Sequence, residues 1–169
     1  MVSREDLPYR DCVGICVLNK DNKVWIGDRY GSTELASSPF TWQMPQGGID
    51  KGEDPLTAAT RELFEETSIK SISLLSEAGD WLYYDLPDDL IGTGLKGKFR
   101  GQRQRWFAFR FEGDDSEVNI LNPGDGKQHQ EFQDWRWEDL SKVPELVIPF
   151  KRDVYEQVVA AFSDLVSKP

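Results

Sequence analysis

Residues 44–69, MPQGGIDKGEDPLTAATRELFEETSI, join a glycine-rich turn to a segment with helical periodicity. Asp54 followed by Pro55 is typical of a helix start, because aspartate accepts hydrogen bonds from free backbone N–H groups and proline lacks one of them. The pattern predicts a helix that runs from Pro55 to about residue 66 or 67. Apolar residues at helical spacing predict its buried face, which is formed by Leu56, Ala59 and Leu63.

Three glutamates of this helix, Glu62, Glu65 and Glu66, fall on one stripe roughly 100° wide. Their charges repel one another, by about 0.2–0.5 kcal/mol per solvated pair and by more where they are buried. Arg61 can pair with Glu65 or with Glu53, but one guanidinium group cannot balance the whole cluster. The stripe is therefore either an exposed acidic helix face or a site for hard divalent cations, which prefer oxygen ligands.

The spacing within this stretch decides between the two interpretations. The pattern G-x5-E-x7-R-E-L-x-E-E fits at seven positions within twenty residues, namely Gly47, Glu53, Arg61, Glu62, Leu63, Glu65 and Glu66. It resembles the signature of the Nudix hydrolases, which cleave a nucleoside diphosphate linked to another moiety. The resemblance implies a metal-dependent hydrolase whose single domain covers residues 1–169, with the signature at 47–69.

The resemblance also implies a set of metal ligands. Glu62, Glu65 and Glu66 are similar to the metal-binding carboxylates of the family, and Glu62 or Glu65 to the base that acts on the attacking water. The carbonyl of Gly47 is similar to a backbone ligand, and Glu131 to a glutamate that reaches the metals from a separate loop. Two or three Mg²⁺ or Mn²⁺ ions would neutralise the polyphosphate and lower the pKa of water.

Two more residues of the signature are similar to a supporting ion pair. Glu53 and Arg61 would orient the turn and the helix, and so belong to the catalytic apparatus. The family pattern next has a glycine where this chain has Ser68. Glycine suits a left-handed helix end, so we expect serine to cost on the order of 1 kcal/mol of local stability there.

The remaining sequence predicts strands and a second helix. Apolar or alternating runs predict strands at 12–19, 23–30, 40–48, 71–87 and 102–113, and another leading into DWRWEDL at 134–140. Trp106, Trp135 and Trp137 alternate with polar residues in strands and are expected in the core. Residues 149–168 predict an amphipathic helix with an apolar face made of Val154, Val158, Ala161, Phe162 and Leu165. Together these elements indicate an α+β protein, an α/β/α sandwich with a mixed β-sheet between helices.

The resemblance extends along nearly the whole chain. YRDCVGICVLN, WQMPQGGID, GQRQRWFAFRF, EFQDWRW and PFKRDVY resemble segments of the bacterial RNA pyrophosphohydrolases, and plant and bacterial diadenosine polyphosphate hydrolases share them. Two substrates therefore stay open: the triphosphorylated 5′ end of RNA, and diadenosine tetraphosphate, which would be split into ATP and AMP. A catalytically silent Nudix fold that binds nucleotides or a protein is a third interpretation, although every acidic position of the signature is present.

A basic run lies outside the signature. LKGKFRGQRQRW places five cations in ten residues with no acidic residue among them, namely Lys96, Lys98, Arg100, Arg103 and Arg105. In isolation it could be a solvated loop and strand edge, but beside a phosphate-processing motif it predicts a polyphosphate clamp, above all at Arg103 and Arg105. The resemblance further implies a nucleotide pocket that is formed by Arg29, Gln102, Ile148, Phe150 and Lys151.

Composition limits the partners and the compartment. The net charge of −10 argues against a surface that coats nucleic acid, double-stranded DNA included. The chain has no run of eighteen apolar residues and no apolar core near its N-terminus, so we expect neither a membrane span nor a signal peptide. Cys12 and Cys16 are expected to be buried and reduced in a cytoplasmic protein, since His129 is the only histidine and a zinc site is incomplete.

Overall fold

A seven-stranded mixed β-sheet forms the centre of the molecule in a computed structural model, which describes residues 3–29 and 38–167. Its strands are β1 (Tyr9–Leu18), β2 (Val24–Arg29), β3 (Trp42–Gln43), β4 (Gln46–Gly48), β5 (Ile72–Asp85), β6 (Gly101–Phe111) and β7 (Phe132–Glu138). Five follow the order β3-β2-β1-β6-β5, while β4 pairs with β1 and β7 pairs with β2. Strands β1 and β6 are parallel and the other pairs are antiparallel, so the predicted mixed sheet is confirmed.

Two helices, α1 (Pro55–Thr67) and α2 (Arg152–Ser167), pack on the two faces of this sheet. Successive side chains of a strand point to opposite faces. Trp106 and Ala108 of β6 therefore enter the core beneath α2, whereas Phe107 and Phe109 enter the core beneath α1. The predicted α/β/α sandwich is confirmed. Among the described residues, neither helix nor any other has the length and apolar character that a membrane span requires.

Helix α1 has the boundaries that its sequence predicts. At its start, the Asp54 carboxylate accepts a hydrogen bond from the N–H of Thr57 at 3.2 Å. At its end, Ser68 adopts the left-handed conformation, with a φ of 68°. Its hydroxyl donates to the carbonyl of Asn119 at 3.2 Å and accepts from the N–H of Gly124 at 3.0 Å. These two bonds offset part of the conformational cost that serine incurs in this position.

The sheet divides at one edge of β1, and this division positions the site. Strand β2 pairs with β1 only where Val24 lies opposite Leu18. Farther along β1, the same edge pairs with β4, from Cys12 to Gly14. Strand β2 meanwhile pairs with β7 over most of its length. Because β2 and β4 share one edge of β1 but occupy different parts of it, side chains from both strands can face a common opening.

Some residues that were expected in the core lie nearer the surface. Ala161 of α2 is exposed, and Tyr155 is buried on the same helix instead. Trp135 and Trp137 of β7 are only partly buried at the rim of the core beneath α1, where Trp135 stacks on Trp25 with ring centroids 6.0 Å apart. Helical and alternating spacing identified the correct elements, but the edge of each packed surface depends on neighbours that are distant in sequence.

Candidate active site

A cavity of about 190 Å³ opens between β4, the end of β2 and the C-terminal half of α1. Six residues that the sequence predicts for the site line it: Arg29, Gly47, Glu62, Glu66, Gln102 and Glu131. They come from five separate segments of the chain. The fold therefore gathers predicted metal ligands and predicted substrate contacts into one cavity, which we call the active-site pocket.

Two carboxylates of this pocket, those of Glu62 and Glu66, are poorly solvated, whereas that of Glu131 is exposed. Glu66 is only 7% exposed, and its carboxylate accepts one hydrogen bond from the N–H of Gln46 at 3.2 Å. Burial raises the pKa of Glu66 well above its ordinary value, and the negative charges of Glu131 and Glu62 raise it further. Burial also raises the pKa of Glu62. Gly47 permits this arrangement, since a Cβ atom there would lie 2.0 Å from the Glu62 carboxyl carbon.

Arg61 connects the glycine turn to α1. Its guanidinium donates two hydrogen bonds to Glu53, at 2.8 and 2.9 Å, and one to the carbonyl of Gly48 at 2.9 Å. These contacts lower the pKa of Glu53 to about 2. The remaining nitrogen, Nη1, donates to Glu62 at 2.9 Å and to Glu65 at 3.1 Å. The predicted ion pair is thus present, and the same guanidinium also holds two of the predicted metal ligands.

The described residues contain no preformed metal centre, because nowhere among them do three His, Cys, Asp or Glu side chains converge. Glu62 and Glu65 are turned toward Arg61 instead. The donor set is nevertheless entirely oxygen, from carboxylates and a backbone carbonyl, which suits hard divalent cations. Buried Glu66 and partly buried Glu62, whose pKa values are raised, also carry negative charge that such cations would neutralise. The residues fit a divalent cation, and the metal site stays a prediction.

Two guanidinium groups supply positive charge to the same pocket. Arg29 lies 3.7 Å from the carboxylate of Glu131 and donates a hydrogen bond to the side chain of Gln43 at 3.3 Å. The buried ammonium group of Lys151 donates to the same Gln43 oxygen at 3.4 Å. Arg10 packs directly on Gly48, where a Cβ atom would lie 2.5 Å from its Nη2. Carboxylates and cations therefore line one cavity, which suits a polyphosphate held between metal ions and basic side chains.

A chain of buried hydrogen bonds fixes two amide side chains of the pocket. The indole N–H of Trp106, which can only donate, bonds to the side-chain oxygen of Gln104 at 2.9 Å. The amide nitrogen of Gln104 must then donate, and it does so to the side-chain oxygens of Gln102 at 2.7 Å and Gln46 at 3.2 Å. Gln46 and Gln102 are left with their own amide N–H groups for the pocket. Both therefore present donors, which match the acceptor oxygens of phosphates.

Arg103 and Arg105, predicted as a polyphosphate clamp, do not line the pocket. They alternate along β6 with Gln102 and so lie on the other face of the sheet. Arg103 forms two hydrogen bonds with Asp11, at 2.6 and 3.0 Å, Arg105 forms an ion pair with Glu77, and both guanidinium groups lie over the ring of Trp81. The clamp prediction is corrected on this point, because carboxylates that neighbouring strands contribute already neutralise the two arginines.

The three predicted pocket residues near the second helix differ in position. Ile148 is buried in the core beneath α2, and Phe150 packs at its edge with its ring centroid 5.6 Å from that of Tyr84. Only Lys151 is connected to the pocket, through Gln43. The structure thus brings the cationic member of this group to the site and gives the apolar members packing partners in the protein.

Sequence reasoning missed several pocket residues, chiefly Arg10, Gln43, Gln46 and Leu95, and also Gln104, which bonds to two of the pocket amides. For two of them a signal was present. In GQRQRW, Gln102 and Gln104 alternate on the face of β6 that also carries the buried Trp106, and buried amides usually have specific partners. Arg10 similarly precedes Cys12 by two residues on one face of β1. No local pattern marks Leu95, which reaches the pocket from a turn.

Comparison with known proteins gives one family over most of the chain. The family model described as NUDIX domain matches residues 8–158. An RNA pyrophosphohydrolase of Rhizobium meliloti (strain 1021) is 61% identical over 167 residues, which cover 98% of this chain and 99% of the relative. Two of the solved structures that share the fold do so at low sequence identity. The dihydroneopterin triphosphate pyrophosphohydrolase of E. coli has a TM-score of 0.62 at 19% identity, and the match covers 90% of this chain and 98% of the E. coli chain. The Ap4A hydrolase of C. elegans, solved as a binary complex, has a TM-score of 0.59 at 20% identity, with coverage of 92% and 98%.

Proposed function

The chain belongs to the NUDIX domain family and is a Nudix hydrolase, and from this premise we propose that it removes pyrophosphate from the triphosphorylated 5′ end of RNA. The observation that carries the proposal is the composition of the active-site pocket. Buried Glu66 and partly buried Glu62 share one cavity with the guanidinium groups of Arg10 and Arg29. The choice of RNA is supported by the Rhizobium meliloti relative, which carries that activity in its name and matches 98% of the chain.

Divalent cations, Mg²⁺ or Mn²⁺, are part of the proposal. Glu62, Glu65, Glu66 and Glu131, with the carbonyl of Gly47, would hold two or three of them. Bound there, such cations neutralise phosphate oxygens and lower the pKa of a water molecule. The raised pKa values of Glu62 and Glu66 support this assignment, because buried negative charge gains most from a bound cation.

The side chains of the pocket act on the substrate in two ways. Arg10 and Arg29 bind phosphate oxygens by charge-assisted hydrogen bonds, and the oriented amides of Gln46 and Gln102 add neutral donors. This contact holds the triphosphate in line with the attacking water. The family resemblance assigns a phosphoanhydride as the bond that breaks.

Proton transfer falls to a carboxylate of α1. The oxygen of a water molecule forms a new bond to phosphorus, the anhydride bond breaks, and the proton goes to Glu62 or Glu65. The products are pyrophosphate and an RNA with a 5′ monophosphate. Glu62 suits the role of base because burial raises its pKa, which makes the carboxylate a stronger proton acceptor. Glu53 takes no proton in this scheme, since the bonds from Arg61 keep it ionised and hold the turn on the helix.

The proposal also names the side chains that contact a base of the first nucleotides and the compartment in which the reaction takes place. Arg29 lines the pocket beside Gln43, so it is the side chain best placed to contact a base, and buried Lys151 would support that contact by holding Gln43. Ile148 and Phe150 would support that position from the core rather than enclose the base.

We assign the reaction to the cytoplasm, in agreement with two buried free thiols, at Cys12 and Cys16.

A direct assay tests the proposal. Purified protein is given 5′-triphosphorylated RNA with Mg²⁺ or Mn²⁺, and pyrophosphate release is measured as kcat/KM. We expect Glu66→Gln to lower kcat by at least about 100-fold, because the amide removes a charged ligand. Glu156→Gln, a matched change at an exposed glutamate of α2, should retain wild-type activity. Absence of pyrophosphate release from the wild-type protein would contradict the proposal, and so would full activity of Glu66→Gln.

Diadenosine tetraphosphate is the alternative substrate and forms the second arm of the same assay. The similarity to the C. elegans Ap4A hydrolase shows a shared fold at 20% identity and no more. A polyphosphate in the pocket would meet the same carboxylates and cations with either substrate. We expect a higher kcat/KM on triphosphorylated RNA. A higher value on diadenosine tetraphosphate would reassign the enzyme to dinucleoside polyphosphates.

A further inference from the structure

A second cavity of about 300 Å³ adjoins the active-site pocket. Its lining is formed by Arg10, Leu95, Lys96, Lys98 and Phe99, and two of these, Arg10 and Leu95, also line the active-site pocket. The two cavities therefore meet at a shared wall. A volume of this size is near the lower limit for small-molecule sites, which is about 300 Å³. We call it the adjoining cavity.

The charge of the adjoining cavity is positive, and its cations form no close ion pair with the described residues. Three of its five lining residues are cations and none is acidic. Within residues 3–29 and 38–167, no carboxylate lies within ion-pair distance of Arg10, Lys96 or Lys98. The same basic run behaves differently elsewhere, because its three arginines, at 100, 103 and 105, each pair with an aspartate or a glutamate. In a protein with ten excess negative charges, this concentration of positive charge is suited to an anionic ligand.

Phe99 adds an aromatic surface to these cations. Its side chain is half-buried and belongs to neither of the two cores, whereas Leu95 beside it packs on the core beneath α2. The ring is therefore not needed to fill the interior. A partly exposed aromatic ring next to basic side chains is the combination by which proteins bind single-stranded nucleic acid, with bases on the ring and phosphates on the cations.

We propose that the adjoining cavity binds the nucleotides that follow the first nucleotide of a single-stranded RNA, on the basis of the function proposed above. The triphosphate occupies the active-site pocket, the chain passes Arg10 and Leu95, and a following base lies on Phe99. Lys96 and Lys98 contact the phosphodiester groups. A dinucleoside polyphosphate has no phosphodiester beyond its second nucleoside, so it gains less from these contacts. The cavity therefore favours RNA over dinucleoside polyphosphates as the substrate class.

Substrate length is the kinetic test. Triphosphorylated single-stranded RNAs, from a single nucleotide to a hexanucleotide, are compared as substrates of the wild-type protein and of a Lys96→Ala/Lys98→Ala variant. We expect the wild-type kcat/KM to rise with length, and the variant to lose most of the rise through KM, on the order of tenfold at about 0.1 M salt. The control variant Lys20→Ala/Lys142→Ala removes two exposed lysines outside both cavities and should keep the full rise.

Binding gives a second readout that does not require turnover. Fluorescence anisotropy with a 5′-monophosphorylated hexanucleotide yields the slope of log K against log salt. If each lysine contacts one phosphate, the Lys96→Ala/Lys98→Ala variant should reduce the magnitude of that slope by about 1.4. Phe99→Leu, which keeps an apolar side chain but loses the ring, should weaken binding with little change in slope, and Phe99→Tyr should restore it.

The outcomes separate this inference from the proposed function. The wild-type protein could hydrolyse triphosphorylated RNA with no gain in kcat/KM from substrate length. That result would overturn the inference that the adjoining cavity binds RNA and would leave the proposed function standing. A lysine variant that loses as much on diadenosine tetraphosphate as on the hexanucleotide assigns Lys96 and Lys98 to the polyphosphate and also overturns it. Failure of hydrolysis on every RNA, together with a salt slope that falls as expected, rejects the proposed function and keeps the RNA contact.

Discussion

Ser68 is a residue at which the chain departs from its family pattern and compensates for the change. The backbone there is left-handed, with φ 68° and ψ 8°, a conformation in which glycine has no steric cost. The serine hydroxyl bonds to Asn119 and Gly124, which a glycine could not do. Those bonds join the end of α1 to the segment that leads toward Glu131. The departure therefore affects how two parts of the active site are connected and removes no side chain from the pocket.

We predict unequal losses of stability for two substitutions of Ser68. Ser68→Ala keeps the conformational cost and loses both hydroxyl bonds, so the free energy of unfolding should fall by about 1–2 kcal/mol. Ser68→Gly loses the same bonds but removes the cost, about 1 kcal/mol, and should be nearly neutral. Since 1 kcal/mol corresponds to about 2–4 °C in a protein of this size, thermal unfolding resolves the two variants. Equal Tm values for them would contradict the explanation.

The basic run shows that sequence alone does not reveal which basic residues are paired with an acid and which line a cavity. Arg103 and Lys98 are only five positions apart in a segment without acids, so composition treats them alike. In the structure, Arg103 meets Asp11 of β1, because parallel pairing of β1 with β6 places these two residues opposite each other. Lys98 lies before the strand begins and lines the adjoining cavity. The difference comes from strand register, which depends on partners about ninety residues away.

Secondary-structure elements were more predictable than individual contacts. The limits of α1 follow from local signals, namely the Asp54 cap and the left-handed residue at its end, and its predicted range matches Pro55–Thr67. The alternation in β6 likewise places Trp106 and Phe107 in different cores. The division of the sheet at β1 was not predictable, because two short strands that pair with different neighbours leave no periodic pattern. The active-site pocket forms at that division, so the full set of residues that line it could not be predicted from the sequence either.

Within β6, the bonds from Trp106 through Gln104 give a prediction about the orientation of the pocket amides. Gln104→Glu removes the amide donor that faces Gln102 and, at a pH where the new carboxyl group is ionised, presents only acceptors, so the Gln102 amide should turn its oxygen toward the pocket. We expect a rise in KM for triphosphorylated RNA of about tenfold, equivalent to one lost hydrogen bond, with a smaller change in kcat. Steady-state kinetics measures both constants.

Two control variants test whether orientation is the cause. Trp106→Phe keeps the packing but removes the donor that orients Gln104, so KM should rise by less than with the glutamate. Gln133→Glu adds the same charge at an exposed glutamine of β7 and should leave KM unchanged. If Gln104→Glu lowers only the Tm and keeps the wild-type KM, the role of Gln104 is structural and the orientation argument is wrong.

At the scale of the whole molecule, an acidic protein concentrates positive charge at the active-site pocket and the adjoining cavity. The chain has 30 acidic and 20 basic residues, and its three glutamates of α1 would by themselves repel a polyanion. Arg10 and Arg29 offset this repulsion at the active-site pocket, and Arg10 continues the positive charge into the adjoining cavity with Lys96 and Lys98. An acidic protein can thus bind an anionic chain along one short path. The rest of its surface disfavours unspecific contact with nucleic acid.

The cost of the buried carboxylates leads to a prediction about metal removal and global stability. In the presence of a chelator, Glu66→Gln should be more stable than the wild-type protein, because it removes a buried charge whose pKa is raised by desolvation and by Glu62 and Glu131. Mg²⁺ at about 100 times its Kd should stabilise the wild-type protein by about 2.7 kcal/mol, or about 5–10 °C in Tm. Glu66→Gln should gain much less, whereas Glu156→Gln should respond like the wild type. Equal Tm shifts in all three proteins would place any bound cation away from Glu66. The expected pattern would show that the buried carboxylate of α1 lowers the stability of the metal-free protein and binds a cation in return.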